Sequence, residues 1–81
     1  MSADDIERRV YVCFGNVFPA VPAAQLPELR QELTADWDSV AHVTLLASLG
    51  EEFGLDIDFE AAADMTSAAA AVRMIRDQLG H

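Results

Sequence analysis

Apolar residues recur at helical spacing near the start of the chain. The apolar positions are Ile6, Val10, Cys13 or Phe14, and Val17. Intervals of three and four residues place such side chains on one face of an α-helix. Ser2 can cap this helix, and acids follow in its first turn. Since Pro19 disfavours helical backbone in the residue before it, the pattern predicts that the first helix ends near Phe18.

Residues 19 to 38 contain all three prolines of the chain and predict a long first loop. Leu26, Leu29 and Leu33 recur within it at helix-like intervals. These leucines indicate a short helical turn around residues 27 to 33. Long loops in small domains are usually held in place by apolar anchors of this kind, or have a function of their own.

A second helical pattern follows this loop. Its apolar positions are Val40, Val43, Leu46 or Ala47, Leu49 or Gly50, and Phe53. Either Asp38 or Ser39 can supply the N-cap, and the sequence does not distinguish between them. Gly54 is a typical residue for the end of a helix, so we expect the second helix to end there.

The last third of the chain predicts two more helices. Residues 55 to 59 alternate like a strand but have no partner strand, so we interpret them as an extended loop with Ile57 and Phe59 turned inward. A short third helix fits Glu60 to Asp64. Thr66 or Ser67 can cap the last helix, which Gly80 ends. Its predicted buried positions are Ala68, Ala71, Val72, Ile75 and Leu79. The prediction for residues 1–81 is a single all-α domain, a four-helix bundle with a long first loop.

Charge and cysteine content narrow the classes of function. The net charge is −9, from fourteen acids and five arginines. Such a chain repels nucleic acids and anionic lipids and favours partners with basic surfaces. One cysteine, Cys13, gives neither an intramolecular disulfide nor a multi-cysteine metal site, and we interpret it as a core residue. Because no signal-peptide or membrane-span pattern is present, we expect a cytoplasmic protein.

Four sequence features together resemble a known family. Asp38-Ser39-Val40 opens the second helix, and Glu51-Glu52-Phe53-Gly54 closes it. Leu55-Asp56-Ile57-Asp58 follows, and Met65-Thr66-Ser67 leads into an alanine-rich helix. From about Asp36 to Ile75 the chain resembles the acyl carrier proteins of fatty-acid and polyketide synthesis.

The resemblance implies a non-catalytic carrier with 4′-phosphopantetheine, derived from coenzyme A, attached to Ser39. Asp38 would help the phosphopantetheinyl transferase to hold magnesium. Further partners would be an acyl- or aminoacyl-loading ligase or acyltransferase, and downstream synthase or tailoring enzymes. Such carriers generally act as monomers. A phosphodiester on Ser39 would be stabilised at the helix N-terminus, where anions are favoured. Ser39 taken alone is better explained as an ordinary N-cap, and the surrounding motifs favour the attachment site.

The chain departs from the family pattern around Ser39. Asp36 stands where a glycine is common, and Trp37, which we expect to pack over the long loop, is bulky for its position. The helix after Ser39 lacks the usual acids, with Gly50 at a position that is often acidic. We therefore expect an apolar docking surface with few charges and a specialised pathway, polyketide or other secondary metabolism. The expected partner-binding residues are Val40, Val43, Glu51, Glu52 and Asp56.

Other functions remain open or fit less well. A peptidyl or aryl carrier, loaded by an adenylating enzyme, is the alternative within the family. A helical protein-interaction module without a cofactor is the alternative from another class. Ser39 and His42 lie one helical turn apart, but a hydrolase needs more groups than this small chain provides, so we expect His42 to face solvent or a partner. The acidic segments do not match a calcium-binding loop, and no metal site is expected.

Overall fold

A computed structural model of the protein describes residues 2–60 and 62–80. These ranges contain three α-helices and two short 3-10 segments, and no β-strand. The α-helices are α1 (Ala3–Val17), α2 (Ser39–Phe53) and α3 (Ala68–Gln78), and the 3-10 segments are Ala23–Glu28 and Gln31–Leu33. The predicted all-α fold class is confirmed.

Local capping residues set most of the helix ends. The Ser2 hydroxyl accepts a hydrogen bond from the Asp5 amide at 3.2 Å, and the Ser67 hydroxyl accepts one from the Ala70 amide at 3.0 Å. Of the two residues predicted to cap the last helix, the structure therefore selects Ser67. Gly54 ends α2 in the left-handed conformation, with φ 65°, as the sequence predicts.

Hydrogen-bonded turns occupy the region where the sequence predicts the short third helix. The Ala62 amide donates to the Asp58 carbonyl at 3.1 Å, and the Met65 amide donates to the Ala62 carbonyl at 3.0 Å. Ala61, which belongs to the predicted helix, lies outside the described residues. These helical turns carry the chain from α2 to α3, and residues 55 to 58 before them are extended loop, as predicted.

The core lies where α1 packs against both α2 and α3. Its largest fully buried side chains are Phe14, Ile6, Leu45, Leu49, Met65, Ile75 and Val10. Each such side chain stabilises the fold by about 1.5–3 kcal/mol relative to an exposed position. Cys13 is buried among them, as predicted. None of the helices in the described ranges has the length and apolar character that crossing a membrane would require.

The buried face of α2 differs from the predicted one. Its buried residues are His42, Leu45, Leu46 and Leu49. Val40 and Val43 point outward, with exposed fractions of 75% and 51%. The apolar pattern of the sequence includes both valines together with Leu46 and Leu49, but the valines lie outside the core, because α2 is apolar on most of its circumference. Periodicity alone then does not select the side that packs against α1.

The long loop is fixed to the rest of the fold by two leucines and a β-bridge. Leu26 and Leu29 are buried, whereas Leu33 is largely exposed and does not act as the predicted third anchor. Arg30 and Ser67 form an isolated antiparallel bridge. Beside it, the Ala68 amide donates to the Leu29 carbonyl at 2.9 Å. These contacts hold the loop against the start of α3 before the chain enters α2.

Candidate functional site

Ser39 is the first residue of α2, and its side chain is exposed. Asp38 is the N-cap: its carboxylate accepts a hydrogen bond from the Ala41 amide at 2.9 Å, and its carbonyl accepts one from the His42 amide at 2.9 Å. The Ser39 hydroxyl makes no hydrogen bond to any other described residue. Because Asp38 performs the capping, this hydroxyl is available for chemistry, unlike those of Ser2 and Ser67.

Trp37, two residues before Ser39, is buried beneath the start of α2. Its ring packs edge-on against Phe14, with centroids 5.4 Å apart, and at a tilt against Phe18 at 5.8 Å. Its amide donates to the Thr34 carbonyl at 3.0 Å. The expected packing role of Trp37 is therefore confirmed, and it joins the long loop to the aromatic part of the core.

His42, three residues after Ser39, is buried too. Trp37 Nε1 donates a hydrogen bond to His42 Nδ1 at 3.1 Å, and His42 Nε2 lies 3.3 Å from the Ala62 carbonyl oxygen. The expectation that His42 faces solvent or a partner is wrong, because both ring nitrogens find partners inside the fold. Neither nitrogen is directed at Ser39, so His42 is not placed to remove a proton from that hydroxyl.

An apolar surface extends from Ser39 along the outer side of α2. Val40 and Val43 are exposed there, and a shallow groove between α2 and residues 55 to 59 continues it. Phe59 borders this groove and is 56% exposed, so the prediction that it turns inward is wrong. Its ring meets His42 edge-on at 6.1 Å, whereas Ile57 packs partly against the core.

The acids predicted to bind partners separate into two places. Glu51 and Asp56 line the groove together with Val43. Glu52 lies on the other side of α2, where Arg9 Nε donates to its carboxylate at 2.7 Å. Arg9 also lies over the ring of Phe53, 4.8 Å from its centroid. Glu52 thus joins α2 to α1. Of the five predicted residues, Val43, Glu51 and Asp56 lie together along the groove. Val40 lies beside Ser39 at the start of α2.

Gly50 allows the loop after α2 to approach the helix closely. The Leu55 amide donates to the Gly50 carbonyl at 2.9 Å, and a Cβ atom at position 50 would lie 2.8 Å from the Leu55 carbonyl oxygen. That separation is shorter than a carbon and an oxygen tolerate, so a larger residue would displace the loop. Any side chain at this position, including that of an acid, would therefore meet the loop.

Cys13 is the thiol of this chain, and the fold shields it. The side chain is 2% exposed, and its sulfur lies 3.8 Å from the Ser48 carbonyl oxygen, to which it donates. Burial raises the pKa of the Cys13 thiol. The neighbouring Ser48 opposes this effect in part, and Glu52, which raises the pKa, and Arg9, which lowers it, contribute less. A thiol that is both buried and protonated is a poor nucleophile.

We expect Cys13 to react slowly with a chromogenic disulfide reagent in the native protein and rapidly in concentrated guanidinium chloride. Because the pKa of the Cys13 thiol is higher in the folded protein than in the unfolded chain, the protonated thiol contributes fully to stability at neutral pH. That contribution is lost as the pH rises through the alkaline range. Equal reaction rates in the two solvents would contradict this assignment. If Cys13 reacts slowly in the native protein, a second, exposed thiol can be detected by its faster reaction with the same reagent.

Comparisons with known proteins provide no family assignment. No protein-family model matches the chain, and no curated protein matches it.

Proposed function

We propose that the protein is an acyl carrier that holds biosynthetic intermediates as thioesters on a 4′-phosphopantetheine arm attached to Ser39. The observation that carries the proposal is the start of α2, where Ser39 presents an exposed, uncommitted hydroxyl directly after the Asp38 cap. A serine that caps its own helix would have its oxygen engaged with a backbone amide. Ser39 is free of that role.

The residues around Ser39 fit a phosphodiester. A negative group on the Ser39 oxygen would lie at the positive end of a 15-residue helix, where first-turn amides and the helix dipole favour anions. The surrounding surface is open, since Asp38, Ser39 and Val40 are all exposed. When bound, the arm would supply a terminal thiol for thioester formation, while the protein supplies attachment and recognition. Asp38 would assist the transferase in holding magnesium.

The surface next to Ser39 supports docking through apolar contacts. Val40 and Val43 lead from the attachment site into the groove, with Glu51 and Asp56 at its edge. Apolar contact surrounded by few charges suits enzymes with a matching apolar patch and basic residues near it. The partners that we propose are a phosphopantetheinyl transferase, a loading ligase or acyltransferase, and synthase or tailoring enzymes. Polyketide or other secondary metabolism in the cytoplasm is the setting that we propose.

We expect the purified protein to gain one phosphopantetheine when it is incubated with coenzyme A, magnesium and a broad-specificity phosphopantetheinyl transferase. Intact-mass spectrometry measures the gain. Ser39→Ala should show none, because it removes the attacking hydroxyl. Ser67→Ala is the matched control: it removes a serine at another helix start, where the side chain acts as a cap, and should gain the full mass.

The holo protein should also acquire one rapidly reacting thiol in addition to the slowly reacting Cys13. If several transferases leave the mass unchanged while a known carrier is modified alongside, the proposal fails. The exposed apolar surface of α2 would then be explained by the alternative, a protein-interaction module without a cofactor.

A further inference from the structure

Two buried side chains bracket Ser39. Trp37 lies two residues before it and His42 three residues after it, and their side chains are joined by the 3.1 Å hydrogen bond from Nε1 to Nδ1. The planes of the two rings are inclined by 25°, with centroids 6.2 Å apart, so the rings lie side by side across this hydrogen bond. We call these residues the Trp37–His42 pair. Residues 38 to 41 therefore connect two residues whose side chains are hydrogen-bonded to each other within the core.

The hydrogen-bond partners of His42 define a single form of its ring. The Trp37 indole can only donate, so Nδ1 must accept and carries no hydrogen. The Ala62 carbonyl can only accept, so Nε2 must carry the hydrogen. Both requirements are met by one neutral tautomer. The ring is thus held at two points, one on the approach to α2 and one on the turns before α3.

Each member of the pair is further immobilised by its surroundings. The Trp37 carbonyl accepts a hydrogen bond from the Gln31 side chain at 3.4 Å, in addition to the bond from its amide to Thr34. Phe59 covers the His42 ring edge-on. The backbone of residues 38 to 41, which contains Ser39, is consequently fixed at both ends, although the side chains of Asp38, Ser39 and Val40 are exposed. Such a segment has little freedom to change the position of the Ser39 Cβ atom, from which the hydroxyl extends.

Stability alone does not explain why a polar pair is buried at this position. Two apolar rings of similar volume would fill the space without the cost of removing polar atoms from water. A hydrogen bond adds direction, because it is satisfied in one relative orientation of the two rings and costs stability when that orientation is lost. The pair is therefore better suited than apolar packing to fixing the turn that carries Ser39.

We propose that Trp37 and His42 are positioning residues, whose mutual hydrogen bond fixes the turn at residues 38 to 41 so that the Ser39 hydroxyl is presented to the modifying transferase. The inference rests on the proposed function of Ser39. The bond to Ala62 selects the tautomer that can accept from Trp37, while the bond between the two side chains holds the turn.

The first measurement concerns the protein alone. Nitrogen NMR of the His42 ring should show Nε2 protonated and Nδ1 unprotonated, with a coupling between Nδ1 and the Trp37 indole hydrogen. In Trp37→Phe, which keeps an aromatic ring and removes the donor, the amides of Ala41 and His42 should exchange with deuterium about tenfold faster. Amides later in α2, at Leu45 and Leu49, should be much less affected.

The second measurement is the steady-state rate of phosphopantetheine transfer. We expect kcat to fall about tenfold in Trp37→Phe with KM nearly unchanged, because the exposed surface that meets the transferase is not altered. His42→Asn places an amide oxygen near the position of Nδ1 and should preserve most of kcat. His42→Gln, which can reach Ala62 but not Trp37, should behave like Trp37→Phe.

Ile75→Val is the control for stability. Ile75 is a fully buried residue of α3, and its truncation should cost about 0.5–1.5 kcal/mol, similar to the loss of one buried hydrogen bond. We expect this variant to keep kcat within twofold of the native protein. If Ile75→Val lowers kcat as much as Trp37→Phe does, general destabilisation explains the effect and the inference is overturned.

Three further outcomes count against the inference, and they are separate from failure of the proposed function. A proton on Nδ1, or equal exchange of the Ala41 amide in Trp37→Phe and the native protein, would show that the pair does not hold the turn. A normal kcat in Trp37→Phe would show that holding the turn does not matter for transfer. If the native protein is never modified, the proposed function and the positioning role both fail, while the NMR data still decide whether the pair orders the turn.

Discussion

Replacement of Phe14 by alanine is expected to lower the free energy of unfolding by about 3–5 kcal/mol. Phe14 has no exposed surface and contacts both Phe18 and Trp37 through its ring. The substitution removes buried apolar area and leaves a cavity that the surrounding helices close only in part. A domain of this length is stable by about 4–12 kcal/mol, so the variant should lose at least about a quarter of its stability.

Urea unfolding followed by far-UV circular dichroism measures this loss. Val12→Ala is the matched control, since Val12 lies on the same helix but is 53% exposed, and it should change the unfolding free energy by less than about 0.5 kcal/mol. A loss below about 1 kcal/mol for Phe14→Ala would contradict the assignment of Phe14 to the core. Because Phe14 supports the ring of Trp37, we also expect faster exchange of the Ala41 amide in the alanine variant.

A side chain added at Gly50 is expected to destabilise the protein, whereas one added at Gly15 is expected to stabilise it. Both glycines lie within helices, where alanine is favoured over glycine by about 0.5–1 kcal/mol. At Gly15 the new Cβ would lie 3.5 Å from the Leu26 side chain, an ordinary contact. At Gly50 it would lie 2.8 Å from the Leu55 carbonyl oxygen, and relief of that clash should cost about 1–3 kcal/mol.

Gly50→Glu tests the same clash with an acidic side chain, which the resemblance to acyl carriers led us to expect at this position. We expect it to lower the unfolding free energy by about as much as Gly50→Ala, because the clash arises at Cβ and not from the charge. Denaturation midpoints of Gly15→Ala, Gly50→Ala and Gly50→Glu provide the comparison. If Gly50→Glu is as stable as the native protein, packing does not explain the missing acid, and partner selection becomes the better explanation.

The position of Ser39 relative to its cap matters for the proposed function. A serine before a helix is by sequence an N-cap candidate, and Ser2 and Ser67 do act as caps. At the start of α2 the Asp38 carboxylate takes that role, which leaves Ser39 inside the first turn with an exposed hydroxyl. A one-residue difference in the start of the helix therefore separates a structural serine from one that is available for modification.

The sequence by itself determined the start of α1, the end of α2 and the buried faces of α1 and α3. Ser2 and Gly54 act through hydrogen bonds and backbone conformations that involve only their near neighbours, so their effect can be predicted without the fold. The apolar residues of α1 and α3 form narrow faces opposite charged ones. In those helices the period of the pattern indicates one buried side, and Ile6 and Ile75 lie on it as predicted.

Only the tertiary structure decided which side of α2 is buried and which of its polar residues lie inside. α2 is apolar around most of its circumference, so several orientations bury similar apolar area, and contact with α1 selects among them. That orientation turns His42 inward to Trp37 and leaves Val43 exposed. It also directs Glu52 to Arg9, away from the groove. These contacts depend on how α2 packs against α1 and the long loop, and local propensity therefore does not predict them.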